Sequence, residues 1–264
     1  MTDTPPAGPR PFAEGERVLL VDSKQRRYLL NLQPGAQFSS HAGVISHDAI
    51  IGAHEGIELR TNSNAKYLAL RPTLVDHVLK MPRGAQVIYP KDIGPILVLA
   101  DIFPGARVLE SGVGSGALST ALLRAGAHVT GYEIRDEFAD VARSNVAGFL
   151  GTEALERYDV QLRSIYKGID GGPYDRIVLD LPEPWHVVEH VEAGLVPGGI
   201  ICAYTPSIVQ VTQFREALDA SRFTMIETTE VLHRGWYVNK LAVRPDHRMV
   251  AHTGFLTHAR FLGA

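Results

Sequence analysis

Cysteine is almost missing from this 264-residue chain: Cys202 is the only one. No disulfide can form within the chain, and the apolar neighbours of Cys202 suit a buried strand position. Long apolar runs are missing too. Residues 96–100 are typical of the longest, against the roughly 18 that a membrane-spanning helix requires. No membrane association is expected. Metal-ligand spacing is also lacking. The 11 histidines include no HExxH pair, and His41, His47 and His54 stand too far apart for two ligands on one helical face. No metal site is expected. Net charge is only −3, which argues against indiscriminate binding of nucleic acid. The proline-rich, polar start has neither a basic cluster nor an apolar segment. Residues 1–14 therefore read as a disordered lead-in and not as a signal peptide. These absences together predict a cytoplasmic protein.

What is present is an ordinary globular composition, 45% hydrophobic and 21% charged, enough for one large domain or a large one with a small companion. Charge is unevenly spread. Acidic residues dominate 92–230, and both flanks carry a small basic excess, so a polyanion could lie on the flanks of a protein that is not basic overall.

From residue 16 to about 71, short apolar segments alternate with turns. Segments 18–21 and 27–32 flank the polar turn Asp22-Ser-Lys-Gln-Arg26, and 56–60 and 66–71 flank Thr61-Asn-Ser-Asn-Ala65. This is a hairpin pattern, and it predicts a small β domain over 15–71. Pro72 opens a helix with Leu74, Val75, Val78 and Leu79 on one face, as proline suits a first turn. Residues 86–92 read as a strand running into a turn, and 93–100 as a helix. From 107 onward, strands at 108–110, 128–133, 159–162, 177–180 and 199–204 alternate with helical patterns at 117–125, 136–146, 185–193 and 207–220. Such alternation predicts an α/β domain over 72–264, a doubly wound Rossmann-like parallel sheet covered on both faces. The strand-like segments 223–232, 237–243 and 253–261, with no helix between them, predict an antiparallel C-terminal hairpin.

The chemistry concentrates at the carboxyl ends of these strands, where open α/β sheets bind ligands. Leu109-Glu-Ser-Gly-Val-Gly-Ser-Gly116 is a strand, a glycine turn and the start of a helix, the layout of a nucleotide-binding crossover. Glycine is needed where the turn takes backbone angles that a Cβ opposes. Glu133 ends the next strand, about 20 residues beyond Gly112, where such a unit places the acid that accepts from ribose hydroxyls. The loop reads G-x-G-x-G and is preceded by Glu110, so three carboxylates, Glu110, Glu133 and Asp180, gather at the strand ends. A pyrophosphate prefers a helix N-terminus free of negative charge. A sulfonium with an α-ammonium group gains from the acids. The pattern therefore favours S-adenosylmethionine over a dinucleotide.

Asp180-Leu-Pro-Glu-Pro-Trp185 closes the fourth of these strands with two prolines that stiffen the turn. A carboxylate and an aromatic plate in one small loop can hold a flat heterocycle that carries an exocyclic amine.

Together with Gln86-Val-Ile-Tyr-Pro-Lys-Asp92, Tyr132-Glu133 and the closing Ala251-His-Thr-Gly-Phe255, these motifs resemble the tRNA (adenine-58-N1)-methyltransferases, in their single-subunit bacterial, actinobacterial form. The resemblance runs from Gly15 to about Leu262. It implies a class I S-adenosylmethionine-dependent methyltransferase fold, a homotetramer, and N1 of a T-loop adenine of tRNA as the target. Of the residues, it implies that Gly112, Val113, Gly114, Ser115, Gly116, Glu133, Phe138, Ser164 and Asp180 surround the donor, with Glu110 beside them. Asp180 is then closest to the chemistry; from the chemistry of N1 attack itself, Tyr89 and Tyr204 are expected as aromatic walls of the adenine pocket. Ser164 and Phe138 depart from the family, in which an acid and a more polar residue are more usual. Phosphate contacts would fall to Lys24, Arg26 and Arg27 on one flank and to Arg234, Arg244 and Arg248 on the other. The competing readings are a class I methyltransferase of a small molecule or protein, a non-catalytic tRNA-binding subunit and, more distantly, an NAD-dependent oxidoreductase. His252 reads as a structural histidine.

Overall fold

Six short strands build the first part of the chain: β1 (Arg17–Asp22), β2 (Arg27–Asn31), β3 (Gln37–Ser40), β4 (Gly43–Ser46), β5 (Glu58–Arg60) and β6 (Lys66–Leu70). The coordinates, a computed structural model, describe residues 10–84 and 86–263. The sheet order is β2-β1-β6-β5, antiparallel throughout, with β3 and β4 forming a separate hairpin. The first turn closes because the Asp22 carboxylate accepts from the backbone N–H of Lys24 and Arg26, both at 2.9 Å, an Asx-type turn. Side chains from both sheets fill one core that includes Val18, Leu20, Leu32, Phe38 and Tyr67. Phe12 joins that core, 1% exposed, and its backbone N–H donates to Ala53. Residues 10–14 are thus ordered and do not fit a disordered lead-in; residues 1–9 of that segment lie outside the described residues.

Helix α1 (Leu74–Lys80) belongs to this first unit, which ends at Met81. Thr73 and Asp76 form a capping box at its start, satisfying two otherwise orphaned N–H groups. Asp76 also takes Arg27 of β2 in an ion pair at 2.6 Å. A boundary drawn at 71 by composition therefore falls about ten residues early.

The second unit runs from Pro82. Its helices are α2 (Pro90–Leu99), α3 (Ala117–Arg124), α4 (Asp136–Leu150), α5 (Val191–Gly194) and α6 (Ile208–Asp219). Its strands are β7 (Arg107–Ser111), β8 (His128–Glu133), β9 (Tyr158–Leu162), β10 (Tyr174–Asp180), β11 (Leu195–Thr205), β12 (Phe223–Glu230), β13 (Trp236–Asn239), β14 (Ala242–Pro245) and β15 (Phe255–Phe261). Seven of them form one sheet in the order β12-β15-β11-β10-β7-β8-β9. Strands β7 to β11 pair in parallel, and β15 lies antiparallel between β11 and β12. The middle strands are apolar on both faces, with Ile177, Val178, Leu179, Ile201, Cys202 and Ala203 buried, as a sheet covered on two sides requires. Burial pushes the Cys202 thiol up to about 12, so it is an inert packing group. The chain winds from β7 out to β9 and then returns to β10 beside β7. That reversal opens a crevice at the carboxyl ends of β7 and β10.

Three expected elements differ. Residues 86–89 are not a strand, because Pro90 fixes the φ angle of a first helical turn and α2 begins there. Segment 185–193 is a 3-10 turn (Pro184–His190) followed by the short α5. Segment 237–243 is no strand of the main sheet; β13 and β14 pair only with each other. Among the described residues no helix is long and apolar enough to cross a membrane, and no group of three or more His, Cys, Asp or Glu could hold a metal.

Candidate active site

The glycine turn leaves β7 at the switch point, and its three glycines do three different jobs. A Cβ on Gly112 (φ +87°) would stand 2.0 Å from the carbonyl oxygen of Asp180, so Gly112 lets β7 and β10 close on each other at the crevice. A Cβ on Gly116 (φ +79°) would meet the Ala142 backbone at 3.0 Å, so Gly116 sets the approach of α3 to α4. Gly114 (φ +52°) has open space where a Cβ would go. Its bareness is available to a ligand and is not used by the fold. These differences give an expected result. Gly112→Ala should lose about 3 kcal/mol or more, roughly 6–12 °C in Tm, because the neighbour is backbone and cannot yield. Gly114→Ala should lose about 1 kcal/mol for the left-handed angle while weakening donor binding; thermal melts and donor titrations on the two variants check both.

Three carboxylates face this turn, each in a different state. Glu110 is buried, and its Oε2 accepts from Ser119 Oγ at 2.6 Å, while Oε1 has no partner among the described residues. Desolvation by burial, reinforced by the nearby charges of Asp180 and Glu133 and opposed by Ser119, pushes its carboxyl up to about 8. Glu133 is also buried, but satisfied. Its Oε2 accepts from the Gly114 N–H at 3.0 Å, and its Oε1 accepts from the N–H groups of Ile134 and Arg135 at 2.9 and 3.1 Å. Asp180 ends β10. Its side chain keeps an opening to solvent, yet the surrounding protein desolvates it and pushes its carboxyl up to about 7.

A narrow cradle lined by Glu110, Gly112 to Ser115 and Asp180 adjoins a larger cavity of about 470 Å³. Asp180 lines both, as do Gln86, Val87 and Ile88. Tyr89, at the cap of α2, and Tyr204, paired with Asp180 in the β10–β11 register, line the larger cavity. The Tyr204 hydroxyl donates to the Thr253 carbonyl, and a Cβ on Gly254 would stand 2.5 Å from the Tyr204 ring. That ring is held at its hydroxyl end. Val113 is buried with its methyl against Gly131, and Ser115 Oγ is buried without a partner among the described residues. Phe138 lies on the next helix, α4, with the Arg135 guanidinium 3.8 Å above its ring. Ser164 follows β9, and its side chain does not cap the turn after it.

One feature runs against the sequence reading. Trp185 does not face the Asp180 cavity. It packs against the core of the second unit, and its indole N–H donates to His186. A rigid loop fixes where a chain turns, but not which face a side chain takes. His252, in contrast, lines the cavity. Its Nε2 and Nδ1 lie 2.9 Å from the Pro206 carbonyl and 2.7 Å from Glu230 Oε1. Both partners are acceptors, so only the imidazolium satisfies both, and those two bonds raise its pKa. Beside it Thr253 Oγ1 donates to Asp92 Oδ2 at 2.7 Å, and Lys91 pairs with Asp92 at 2.9 Å and donates to the Val231 carbonyl at 2.6 Å. Asp92 and Lys91 are buried as a pair, which ties the start of α2 to the chain before β15. Only the shared His252 could have signalled this wall from sequence.

The residues fit a cationic nucleoside. The cradle has two carboxylates and no basic side chain among its lining residues, an orphaned carboxylate oxygen, an orphaned hydroxyl, and a glycine with room above it.

Comparison with known proteins agrees. A family profile described as the tRNA methyltransferase complex GCD14 subunit matches residues 66–244, and one described as TrmI-like N-terminal matches 11–58. The tRNA (adenine(58)-N(1))-methyltransferase TrmI of Thermus thermophilus is 36% identical over 92% of this chain and 96% of its own. A solved structure described as a SAM-dependent O-methyltransferase from Thermotoga maritima superposes with a TM-score of 0.90 at 32% identity, covering 96% of this chain and 95% of that one. The tRNA (m1A58) methyltransferase TrmI of Aquifex aeolicus superposes with a TM-score of 0.82 at 29% identity, over 96% and 100%. Fold, glycine turn and sequence together place this chain in the TrmI family of tRNA methyltransferases, which uses S-adenosylmethionine as the methyl donor.

Proposed function

We propose that this protein transfers a methyl group from S-adenosylmethionine to N1 of adenine 58 in the T-loop of tRNA, with Asp180 contacting the adenine amine. One observation carries the reading: Asp180 lines both the glycine-turn cradle and the larger aromatic cavity, and no protein group donates to its carboxylate among the described residues. A carboxylate shared by two adjoining cavities is suited to meet a donor on one side and an amine-bearing base on the other.

The donor, when bound, supplies an electrophilic methyl group on a sulfonium. Glu110 Oε1 would take its ammonium group, Ser115 Oγ would donate to its carboxylate, and Glu133 would take the ribose hydroxyls. Gly112, Val113, Gly114 and Gly116 would form the floor, and Phe138 and Ser164 would serve its adenine end. Adenine N1 has an in-plane lone pair and no proton at neutral pH, so no general base is needed. Catalysis is positioning and electrostatics. Asp180 accepts from the N6 amine, fixes the N1 edge and stabilises the ring as it becomes cationic. Tyr89 and Tyr204 cover its faces. A transcript in which the T-loop adenine is changed to guanine should accept no label from the donor; label retained on that transcript would rule out this target.

A second reading rests on the O-methyltransferase description of the Thermotoga relative. A hydroxyl must lose its proton to be methylated, and a carboxylate titrating near 7 could take it. Phenolic and alcoholic acceptors offered in place of tRNA separate the two readings.

The assembly we infer is a homotetramer, supported by the hairpin β13–β14. Trp236, Val238, Leu241 and Val243 on it are 58 to 100% exposed, and a lone two-stranded hairpin is marginal in water. Light scattering should give a mass of about 115 kDa, four times the 28.8 kDa chain. Val238→Asp with Val243→Asp should lower it.

Phosphate contacts shift toward this hairpin. Arg26 and Arg27 are tied to Asp22 and Asp76 at 2.6 Å, so their charge is largely spent. Arg234 and Arg244 stack on Trp236 and Tyr237 and pair with no acid among the described residues. Arg244→Ala should weaken tRNA binding and make it less salt-dependent.

A further inference from the structure

Behind the glycine turn lies a buried chain of hydroxyls that the reaction does not use directly. Tyr158 Oη, at the start of β9, donates to Ser119 Oγ of α3 at 2.8 Å, and Ser119 donates to Glu110 Oε2 at 2.6 Å. All three side chains are buried. The chain uses up one oxygen of Glu110 and leaves the other, Oε1, without a partner among the described residues. We propose that Tyr158 and Ser119 are positioning residues for donor capture: they hold Glu110 by one oxygen so that the other meets the donor's ammonium group. This rests on Glu110 binding the donor.

The surroundings of Glu110 favour a proton on its carboxyl. The groups facing it are acids and hydroxyls from four elements: Asp180 of β10, Glu133 of β8, Ser119 of α3 and, through Ser119, Tyr158 of β9. Arg143 of α4 acts on Tyr158. Among the described residues no cation compensates the carboxylate, so the donor-free protein favours the neutral acid, and its carboxyl stands near 8. A donor bearing an ammonium and a sulfonium reverses the balance. The Oε1 proton passes to the buffer, and the carboxylate forms an ion pair in its place. The two hydroxyls then matter in a specific way, because a hydrogen bond to a carboxylate stabilises the charged form.

Calorimetric titration of S-adenosylmethionine into the full-length protein, from pH 6 to 9.5 and in two buffers of different ionisation enthalpy, tests this. Wild type should release close to one proton per donor near pH 7, with affinity rising with pH toward a plateau above 8. Ser119→Ala should raise Kd about tenfold at pH 7 and move the midpoint of the Kd–pH curve up by about one unit, with affinity recovered at pH 9.5. Ser119→Thr should restore wild-type behaviour. Tyr158→Phe, which removes one hydroxyl and no bulk, should shift the midpoint the same way by a smaller amount and keeps the test decisive if Ser119→Ala fails to fold. Methylthioadenosine, which lacks the amino-acid arm, should bind all variants alike. An unshifted midpoint in Ser119→Ala and Tyr158→Phe, or equal weakening toward methylthioadenosine, overturns the relay. Wild-type donor affinity in Glu110→Gln overturns instead the reading on which it rests.

Discussion

Replacing Asp180 by asparagine should lower the single-turnover rate by about two to three orders of magnitude while leaving Kd for tRNA and donor within about threefold. The magnitude is that of removing one preorganised group aimed at developing transition-state charge. Asparagine keeps an oxygen that can accept from the N6 amine, so the base still docks. It cannot balance the cation that forms on the ring as N1 is alkylated. The pH profile adds a second signature. Desolvation holds the Asp180 carboxyl near 7 in the free protein, and only the ionised form stabilises the product ring. The wild-type rate should therefore rise with pH and level off, at a midpoint below 7 once the cationic donor is bound. The Asp180→Asn rate should not follow that curve. A rate near wild type at saturating substrate would remove Asp180 from the mechanism.

Glu110→Gln should make the ligand-free protein more stable at alkaline pH and bind the donor at least about a hundredfold more weakly, the loss of a buried charge-assisted contact. The stability sign follows from linkage. The folded carboxyl titrates near 8 and the unfolded one near 4.5, so between those values the native state holds the extra proton. Its stability is complete below about 4.5 and falls as pH rises through 8. That span, at 1.36 kcal/mol per unit, corresponds to about 4–5 kcal/mol as an upper bound. Denaturant melts at pH 6 and 9 sample about two of those units, or about 2.7 kcal/mol of the bound. Wild type should lose stability between them, and glutamine at 110, which cannot ionise, should lose much less. Asp180 contributes a smaller decline of the same sign. Saturating donor should abolish the wild-type decline.

The site was legible in sequence wherever a backbone constraint is written as a residue type. Gly112, Gly114 and Gly116 announce a turn with positive φ, and Glu133 and Asp180 announce strand ends because each closes an apolar run. The separate jobs of the three glycines were not legible, since each depends on what lies opposite: Asp180 backbone, nothing, and Ala142. The cavity wall at 250–253 was legible only through the motif Ala251-His-Thr-Gly-Phe255 and not through any local period. It is pinned by contacts such as Thr253 to Asp92 that span 161 residues, and no local period encodes those. The strands β3 and β4 are four residues each and rich in Ser and Gly, too short for an alternation to show. The doubly wound order could be read because buried parallel strands and their covering helices impose different periods on the same chain.

The measurement closest to the central claim is to incubate the protein with unmodified tRNA and methyl-labelled S-adenosylmethionine, then map the labelled nucleoside. The account predicts label in 1-methyladenosine at a single T-loop adenine, position 58, and its absence with Asp180→Asn over the same interval. Label on another atom or nucleoside, or transfer to tRNA that Asp180→Asn does not reduce, would contradict it.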